Sequence, residues 1–410
     1  MITTINNKHN KLNVPNLRFK EFQREWKKTT IGEIATIKNG PFGSVLHAED
    51  YVDEGMPIVT TEHFKSGNLP LSKNGIPQVS EDDYCRLKGY MLETDDIVFS
   101  RVGSVDINAH VEHVQQGWLF SGRVLRVRPI KSVNSLCLHY VLSTESVKRD
   151  IRNRAVGQTM PSINTPILSN TGIYMSQSEA EQKKIANLLS IIDERIATQN
   201  KIIEDLKKLK SAIINYAINS LDTDFAKFSS LYEMAGEGGT PTTSNASFYD
   251  NGKIPFIKID DLKQKYLIEN NDFITELGLQ KSSAWLVPTS SILFSNGATI
   301  GEITITTYPV CTKQGILGIV PKQNIDVEFL YYLMSSSYFK KAVSRIVTEG
   351  TMKTAYLKDI NNILCPIPTK ERQQEIAKMP SALNSKIDFE QSILKRFGLQ
   401  KQYLLRQMFI

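Results

Sequence analysis

Two side chains at predicted turns have the chemistry to recognise DNA bases. Arg101 follows the apolar run "IVFS" and Asn296 follows "ILFS", and a glycine comes within two residues of each. Arginine forms paired hydrogen bonds with guanine in the major groove, whereas asparagine forms them with adenine. The same residue types also suit exposed turns that bind nothing, so both interpretations stay open.

Basic residues recur at matching places in two later segments. Lys148 and Arg149 lie in the first segment, Lys340 and Lys341 lie 192 residues further on, and Arg345 follows the second pair. Clusters of this kind neutralise the phosphates of nucleic acids. A solvated helix face gives the same pattern, but its recurrence in both segments favours phosphate contact.

Two short polar loops supply a third kind of candidate contact. One is "PFGSVLH", which contains Phe42 and Ser44, and the other is "TPTTSNAS", which contains Thr240 and Thr242. Glycine and small polar side chains allow a backbone to approach a phosphate closely. Ordinary connecting loops have the same composition, so a structural role remains the alternative.

Motifs for catalysis are missing from the sequence. There is no G-x-x-x-x-G-K-[ST] string for binding nucleotide phosphates. There is no Asn/Asp-Pro-Pro-aromatic loop, and "NTPI" at Asn164 is the nearest string. His110 and His113 in "HVEH" would point to opposite faces of a strand, which disfavours a metal pair. We therefore predict no catalytic residue, no metal ligand and no cofactor-binding residue.

Composition indicates a cytoplasmic protein that does not bind nucleic acid by charge alone. The net charge is only +6 in 410 residues, with 41% hydrophobic and 22% charged residues. A strong electrostatic grip on nucleic acid needs a larger surplus, so we expect a partner to supply part of any phosphate contact. We identify no secretory signal and no membrane span. The four cysteines lie far apart, which favours reduced thiols.

The chain contains an internal repeat, with an offset that decreases along the sequence. The offset falls from 198 to 195, 192 and 191, as small loop deletions would produce. The matching positions are Gly40 with Gly238, Met56 with Ile254, Ile97 with Ile292, Gly157 with Glu349, and Ile185 with Ile376. A unit of about 190 residues is too long for a solenoid repeat, so the repeat predicts two domains.

Each copy combines a sheet-forming part with a long helix, which predicts a mixed α/β fold. Short β-branched runs such as "IPFIKI" and "EITIT", separated by Gly, Pro and Ser, predict strands. Ser178 followed by Glu181 is a capping box, which predicts the start of a helix. The predicted bounds are 1–177 and 221–369 for the two domains and 178–220 and 370–410 for the two long helices.

Both long helices carry apolar residues at a period of 3.5, which is typical of a coiled-coil seam. About forty residues at about 1.5 Å each make a rod of roughly 60 Å, longer than one small domain covers. We therefore predict that the helices pair antiparallel, giving a pseudo-two-fold arrangement; separate packing on each domain is the alternative. The predicted seam residues are Ile185, Leu189, Ile192, Ile196, Ile203, Leu206, Ile213, Leu383, Ile387, Leu394, Phe397 and Leu404.

The order of domain, long helix, domain and long helix resembles the DNA-specificity subunit of type I restriction–modification systems. The resemblance extends from about Val14 to Ile410. Its most specific segments are "GEGGTPTTSNASFYDNGKIPFIKIDDL", "ILFSNGATIGE", "EAEQKKIANLL" and "KERQQEIA". The order and the duplication carry the resemblance, since no one motif is decisive.

The resemblance implies a non-catalytic subunit of a larger complex. In that family each target-recognition domain reads one half-site of a bipartite, asymmetric target in double-stranded DNA, and the paired helices fix the gap. Two adenine-N6 methyltransferase subunits dock on the helices, and two ATP-dependent restriction (translocase) subunits join for cleavage. S-adenosylmethionine, ATP and Mg are then expected on the partner subunits, and no membrane is involved.

Two other functions remain open at this point. A self-contained adenine-N6 DNA methyltransferase would need the catalytic and cofactor motifs that the sequence lacks. A coiled-coil scaffold without DNA contact would not explain two domains of differing sequence.

Pro380 is a departure from the helix pattern, since it occupies the position of Leu189 in the first helix. A proline inside a helix costs about 3 kcal/mol. We therefore expect the second helix to be kinked at Pro380 or to begin near Ser381.

Overall fold

The computed structural model of the chain describes residues 2–4, 13–41, 46, 48–297, 299–347 and 353–410. Residue contacts divide the chain into two units. Unit 1 comprises Met1–Thr198 and Leu394–Ile410, and unit 2 comprises Gln199–Ile393. Both boundaries fall inside long helices, so each unit contains a segment of each long helix.

Unit 1 alternates short strands and short helices before the first long helix. Its strands are β1 (Ile2–Thr4), β2 (Leu17–Phe19), β3 (Lys27–Thr30), β4 (Ala35–Asn39), β5 (Tyr51–Val52), β6 (Met56–Val59), β7 (Gln78–Val79), β8 (Ile97–Ser100), β9 (Asn108–His110), β10 (Leu119–Phe120), β11 (Val124–Pro129) and β12 (Gly172–Met175). Its helices are α1 (Ile31–Ile34), α2 (Glu81–Arg86), α3 (Ser135–Leu142), α4 (Glu145–Arg154), α5 (Thr165–Ser169) and the beginning of α6 (Glu179–Asn219). The strands form sheets in the orders β4-β11-β8-β9, β10-β6-β7-β5, β12-β3 and β1-β2.

Unit 2 contains the corresponding elements of the second copy. Its strands are β13 (Phe225–Lys227), β14 (Tyr232–Glu237), β15 (Ile254–Ile257), β16 (Tyr266–Leu267), β17 (Phe273–Ile274), β18 (Ile292–Ser295), β19 (Ile303–Thr306), β20 (Cys311–Thr312), β21 (Ile316–Pro321) and β22 (Leu364–Pro366). Its helices are α7 (Glu276–Gln280), α8 (Val327–Ser335), α9 (Ser337–Ile346), α10 (Leu357–Ile360) and most of α11 (Lys370–Met408). The sheet orders are β14-β21-β18-β19-β16, β17-β15-β20 and β13-β22.

The repeat in the sequence is also a repeat in the structure. The order β14-β21-β18-β19 in unit 2 matches β4-β11-β8-β9 in unit 1, and β17-β15-β20 matches β7-β6-β10. Strands β8 and β18 are buried along their whole length, which explains their continuous apolar runs. The predicted mixed α/β fold with an internal repeat is therefore confirmed.

At the start of α6, one of the two hydrogen bonds of the predicted capping box is present and the other is replaced. The Ser178 hydroxyl accepts a hydrogen bond from the Glu181 backbone N–H at 3.4 Å, as a cap should. The Glu181 carboxylate is engaged elsewhere: it binds Arg18 Nε at 2.6 Å and Nη2 at 2.9 Å and accepts from Ser176 Oγ at 2.5 Å. Both side chains of this ion pair are buried, Arg18 at 3% exposure and Glu181 at 0%.

Arg18→Met will destabilise the protein by about 3–5 kcal/mol, because the Glu181 carboxylate will stay buried without its partner. Urea unfolding followed by circular dichroism will measure the loss. Arg372→Met is the matched control, since Arg372 pairs with Glu375 at the exposed start of α11. A loss no larger than that of the control would contradict the assignment of Glu181 as a buried charge.

A buried glutamine secures each long helix to its own domain. In unit 1, Gln182 Oε1 accepts from the Asn134 backbone N–H at 2.7 Å, and its Nε2 donates to the Ser176 carbonyl. In unit 2, Gln373 Oε1 accepts from Asp326 N–H at 2.7 Å, and its Nε2 donates to the Pro368 carbonyl at 2.9 Å. The same contacts in both copies fix each helix start against its sheet domain.

Within unit 1, both long helices complete the core of the sheet domain. Ile185, Leu189 and Ile192 of α6 share one apolar cluster with Leu404 and Met408 of α11. At the edge of this cluster, Lys401 Nζ pairs with Asp193 Oδ1 at 2.5 Å. The helix pair and the domain therefore form one core.

Within unit 2, the helices pair through polar contacts as well as apolar ones. Lys210 Nζ donates to Asn384 Oδ1 at 2.9 Å, and Gln199 Nε2 donates to the Glu390 backbone carbonyl at 3.1 Å. The residue number rises along α6 as it falls along α11, so the helices are antiparallel as predicted. Ile214, Ile218, Ile376 and Ala377 join the core of the second domain.

These polar contacts follow the internal repeat. Lys210 and Lys401 are equivalent positions at an offset of 191, and so are Asp193 and Asn384. The same lysine position therefore contacts the same partner position in each unit. Gln199 and Glu390 are also equivalent at an offset of 191, and they contact each other.

Two details of the predicted helices need correction. The face buried in the second core runs through Ile214 and Ile218, while the predicted seam residue Ile213 is only half-buried. A straight helix of 3.6 residues per turn drifts away from a strict 3.5 repeat. The expectation that the second helix begins near Ser381 is wrong, because α11 continues from Lys370 through the buried Pro380.

Candidate nucleic-acid interface

Arg101 is fixed beside an exposed loop of the first domain. Its backbone N–H donates to the Arg123 carbonyl at 3.0 Å, and its carbonyl accepts from Ile163 N–H at 2.9 Å. The side chain is half-buried, and Nη1 donates to the Gly122 carbonyl at 3.0 Å. The backbone of Arg101 therefore adjoins the loop that precedes Ile163, while its guanidinium contacts the Gly122 carbonyl.

Asn296 occupies the equivalent backbone position in the second domain, but its side chain is buried. Its backbone contacts repeat those of Arg101: N–H donates to Gly315 and the carbonyl accepts from Ala355. The side chain is 1% exposed, and Nδ2 donates to the Ala355 carbonyl at 3.3 Å. This placement differs from both interpretations made from the sequence, a base contact and an exposed turn residue, because the amide supports the loop at Ala355 and does not face solvent.

An exposed loop next to Arg101 was not among the predicted site residues. Residues 156–160 are all exposed, and Val156 and Met160 are 65% and 63% exposed. Paired backbone hydrogen bonds between Val156 and Ser162, and one from Gly103 N–H to the Pro161 carbonyl at 2.8 Å, hold the loop in shape. The match of Gly157 with Glu349 in the sequence repeat is the signal for this loop, although residues 348–352 lie outside the described part of the second domain.

Helices α4 and α9 present the predicted basic residues at equivalent places. Lys148 is half-buried and Arg149 exposed on α4, while Lys340, Lys341 and Arg345 are exposed on α9. Within the described residues, none of the five forms an ion pair with an acidic side chain. Their charges are therefore available to an anionic partner.

Neighbouring arginines on α4 differ, because their charges are already neutralised. Arg152 forms ion pairs with Asp106 and Glu145, and Arg154 pairs with Asp150 at 3.0 Å. Charge alone in the sequence could not separate these arginines from the free cations beside them.

A glycine shortly before each of the two polar loops, Gly40 or Gly238, has an internal explanation. A Cβ on Gly40 would lie 2.0 Å from the Ser121 carbonyl oxygen, and one on Gly238 would lie 2.3 Å from the Thr312 carbonyl oxygen. Close packing against a neighbouring strand therefore requires glycine at both equivalent positions. Phosphate contact by the loops themselves stays a prediction.

The polar residues of these loops are only partly described. Thr240 Oγ1 accepts from Gln314 N–H at 3.2 Å, and Thr242 is exposed. Phe42 and Ser44 lie outside the described residues. Contact of these four residues with DNA stays a prediction.

The described residues bring together no group of three or more His, Cys, Asp and Glu side chains that could hold a metal. His110 is half-buried and its Nε2 lies 3.1 Å from Asp95 Oδ1; burial lowers the pKa of His110, against the opposing effect of Asp95. All four cysteines are free, and burial raises the pKa of Cys137 to about 12. No helix in the described ranges has an apolar stretch long enough to span a bilayer.

The architecture defines a class of protein in which a sheet domain and a long helix occur twice. The chain belongs to the type I restriction modification DNA specificity domain family, whose model matches residues 23–208 and 223–396. Each match spans one sheet domain and a large part of the following helix. The predicted family is therefore confirmed.

Individual relatives support the same assignment over most of the chain. The chain is 26% identical over 430 aligned positions to a sequence assigned to the MjaX type I restriction enzyme specificity subunit of Methanocaldococcus jannaschii, covering 93% of this chain and 95% of that protein. It is 31% identical to the MjaIX specificity subunit over 188 positions, 44% of this chain and 42% of that protein. The crystal structure of the type I restriction-modification system S subunit from M. genitalium shares the fold, with a TM-score of 0.58, 18% identity, and coverage of 97% and 99%.

Proposed function

We propose that the chain is the DNA-specificity subunit of a type I restriction–modification complex and binds a bipartite, asymmetric target. Each of its two domains would read one half-site in double-stranded DNA. The observation that carries the proposal is the family match over both copies of a duplicated domain. The two copies have matching backbone hydrogen bonds at Arg101 and Asn296, but the side chains at this equivalent position differ. The two domains therefore share a fold and differ in side-chain chemistry.

Phosphate contact in this proposal comes from the cations on α4 and α9. Their equivalent placement suits a role that does not depend on base sequence, because the phosphate backbone is the same at both half-sites. In the first domain, the exposed loop at residues 156–160 and the neighbouring Arg101 would then contact the bases.

Docking of the methyltransferase subunits would use the solvent-facing side of the long helices. In unit 2, Ile202, Leu209 and Tyr216 recur every seven residues on α6 and are 39%, 47% and 77% exposed. An apolar row at this period is the surface that another helix covers. Two methyltransferase and two restriction subunits would then assemble on the chain in the cytoplasm, and S-adenosylmethionine, ATP and Mg would bind to those partners.

Methylation mapping tests this proposal directly. The host genome, or a plasmid library in a host that also expresses the methyltransferase subunit, is sequenced for N6-methyladenine with and without this chain. We expect methylation at one discontinuous motif only when the chain is present. Methyl transfer by the purified chain alone, or unchanged methylation without it, would contradict the proposal.

Neutralising Lys340 and Lys341 with glutamine will weaken DNA binding to a similar degree on target and non-target duplexes. The slope of log K against log salt will fall by about one for each lost phosphate contact. Fluorescence anisotropy at several salt concentrations measures both effects. Exposed Lys281 and Lys358 of the second domain, changed together to glutamine, provide a control with the same loss of charge.

A further inference from the structure

A cleft lies between the sheet domain and the long helices in each unit. In unit 1 it has a volume of about 680 Å³ and is lined by residues of α3, α4 and the end of α11. In unit 2 it has a volume of about 260 Å³ and is lined by residues of α6, α8 and α9.

The two clefts are formed by the same positions of the repeat. Lys148 and Lys401 line the cleft of unit 1, and their equivalents Lys340 and Lys210 line the cleft of unit 2. The other shared positions are Ser143 with Ser335, His139 with Tyr331, Gln402 with Ser211, and Leu405 with Ile214. Two clefts of different size and different aromatic lining have thus kept one lysine from a long helix and one from a short helix.

Positive charge dominates both clefts. In unit 2, Lys263 is paired with Asp260 at 2.8 Å, and Lys210 and Lys340 line the cleft with one acidic residue, Glu302. In unit 1, Lys401 is paired with Asp193 and the acidic lining residue Glu145 with Arg152, which leaves Lys148 and Arg406 as the lining cations without a described acidic partner.

The long-helix lysine of each cleft, Lys210 or Lys401, contacts one side chain of the opposite long helix. Burial lowers the pKa of Lys210, and Lys265, Lys207 and Lys340 lower it further, while Asp388 raises it. Lys210 bonds to the neutral Asn384, whereas Lys401 pairs with Asp193. An anion in the cleft of unit 2 would relieve repulsion among its lysines.

We propose that each cleft is a phosphate-binding site, in which a long-helix lysine (Lys401 or Lys210) and a short-helix lysine (Lys148 or Lys340) hold one backbone phosphate of DNA. The inference rests on the proposed function and deepens it, because it assigns DNA contact to the long helices as well as to the domains. The serine at the shared position, Ser143 or Ser335, adds a hydroxyl that can donate to a phosphate oxygen. Such contacts fix the position of the duplex without reading its sequence.

The double variant Lys210→Gln with Lys401→Gln tests the inference, because it removes one lysine from each cleft and leaves α4 and α9 unchanged. Binding of the full chain to a labelled duplex of arbitrary sequence is measured from low to moderate salt. We expect the slope of log K against log salt to fall by about two, one for each cleft. The control is Lys201→Gln with Lys208→Gln, which removes the same charge from exposed positions of α6 outside the clefts.

Folding is checked separately, because Lys401 pairs with Asp193. If the double variant unfolds, Lys148→Gln with Lys340→Gln replaces it, since neither lysine forms an ion pair with a described acidic residue. A slope equal to that of the control overturns the inference. Loss of co-elution with the methyltransferase subunit at an unchanged slope also overturns it, since the clefts would then hold an acidic partner surface. Failure of the wild-type complex to methylate a discontinuous motif refutes the proposed function instead.

Discussion

Replacing residues 15–175 with the matching domain of a related specificity subunit will change one half of the methylated motif and leave the other half intact. The domain is a suitable unit of exchange because β12 ends at Met175, just before Ser176, whose carbonyl anchors Gln182 at the start of α6. The exchange therefore keeps the helix and the Ser176 contact, while the incoming domain must replace the contacts of Asn134 with Gln182 and of Arg18 with Glu181. The incoming domain must also bring apolar residues that pack against Ile185 and Leu404.

Methylome sequencing decides the outcome of this exchange. Because only the half-site read by the exchanged domain changes, methylation of the old motif should disappear completely. The new motif should share the second half of the old one. The reciprocal exchange of residues 221–368 is the control and should alter the other half. A change in both halves after one exchange would contradict the assignment of one half-site to each domain.

Inserting four residues after both Gln199 and Glu390 will lengthen the unread gap between the half-sites by one or two base pairs. These residues contact each other in the antiparallel pair, so the two insertions lengthen both helices at the same level. Four residues add roughly 6 Å of helix, and base pairs advance about 3.4 Å each. An insertion in α6 alone would displace its contacts with α11 and is expected to abolish activity.

The length of the insertion matters for the partner subunits as well as for the helices. Four residues locally unwind a 3.5-residue seam, whereas seven keep it in register but add roughly 10 Å, about three base pairs. We expect the four-residue variant to methylate a motif with a longer gap and the seven-residue variant to be impaired. A four-residue insertion in the exposed turn after Asn74 controls for insertion itself. An active paired variant that still methylates the original gap would show that the helices do not set the spacing.

The features that the sequence predicted are patterns that extend over many residues. The repeat of about 190 residues and the 3.5-residue seam extend over many positions, so single deviations such as Pro380 do not obscure them. The structure accordingly shows an antiparallel helix pair and two matching sheet domains. Helix α6 starts at Glu179 and helix α11 at Lys370. Both starts follow from the same periodic pattern, and that of α6 also from the capping residue Ser178.

The features that could not be predicted depend on contacts between distant segments. Glu181 has the spacing of a capping residue, but its carboxylate binds Arg18, 163 residues away. Asn296 follows a strand as Arg101 does, yet only the packing of Ala355 against it reveals that its amide is buried. Likewise, Lys148 and Lys401 face one cleft although no local pattern connects them.

The contact between Gln199 and Glu390 has a consequence for how half of the chain would behave as an independent protein. Because these are equivalent positions, two copies of the first half pairing in the same way would bring glutamine to glutamine and would place Asp193 opposite Lys210. Two copies of the second half would bring together two Glu390 carboxylates and would leave Lys401 opposite the neutral Asn384. Like charges at close range repel, so the first half is better suited than the second to pair with a copy of itself.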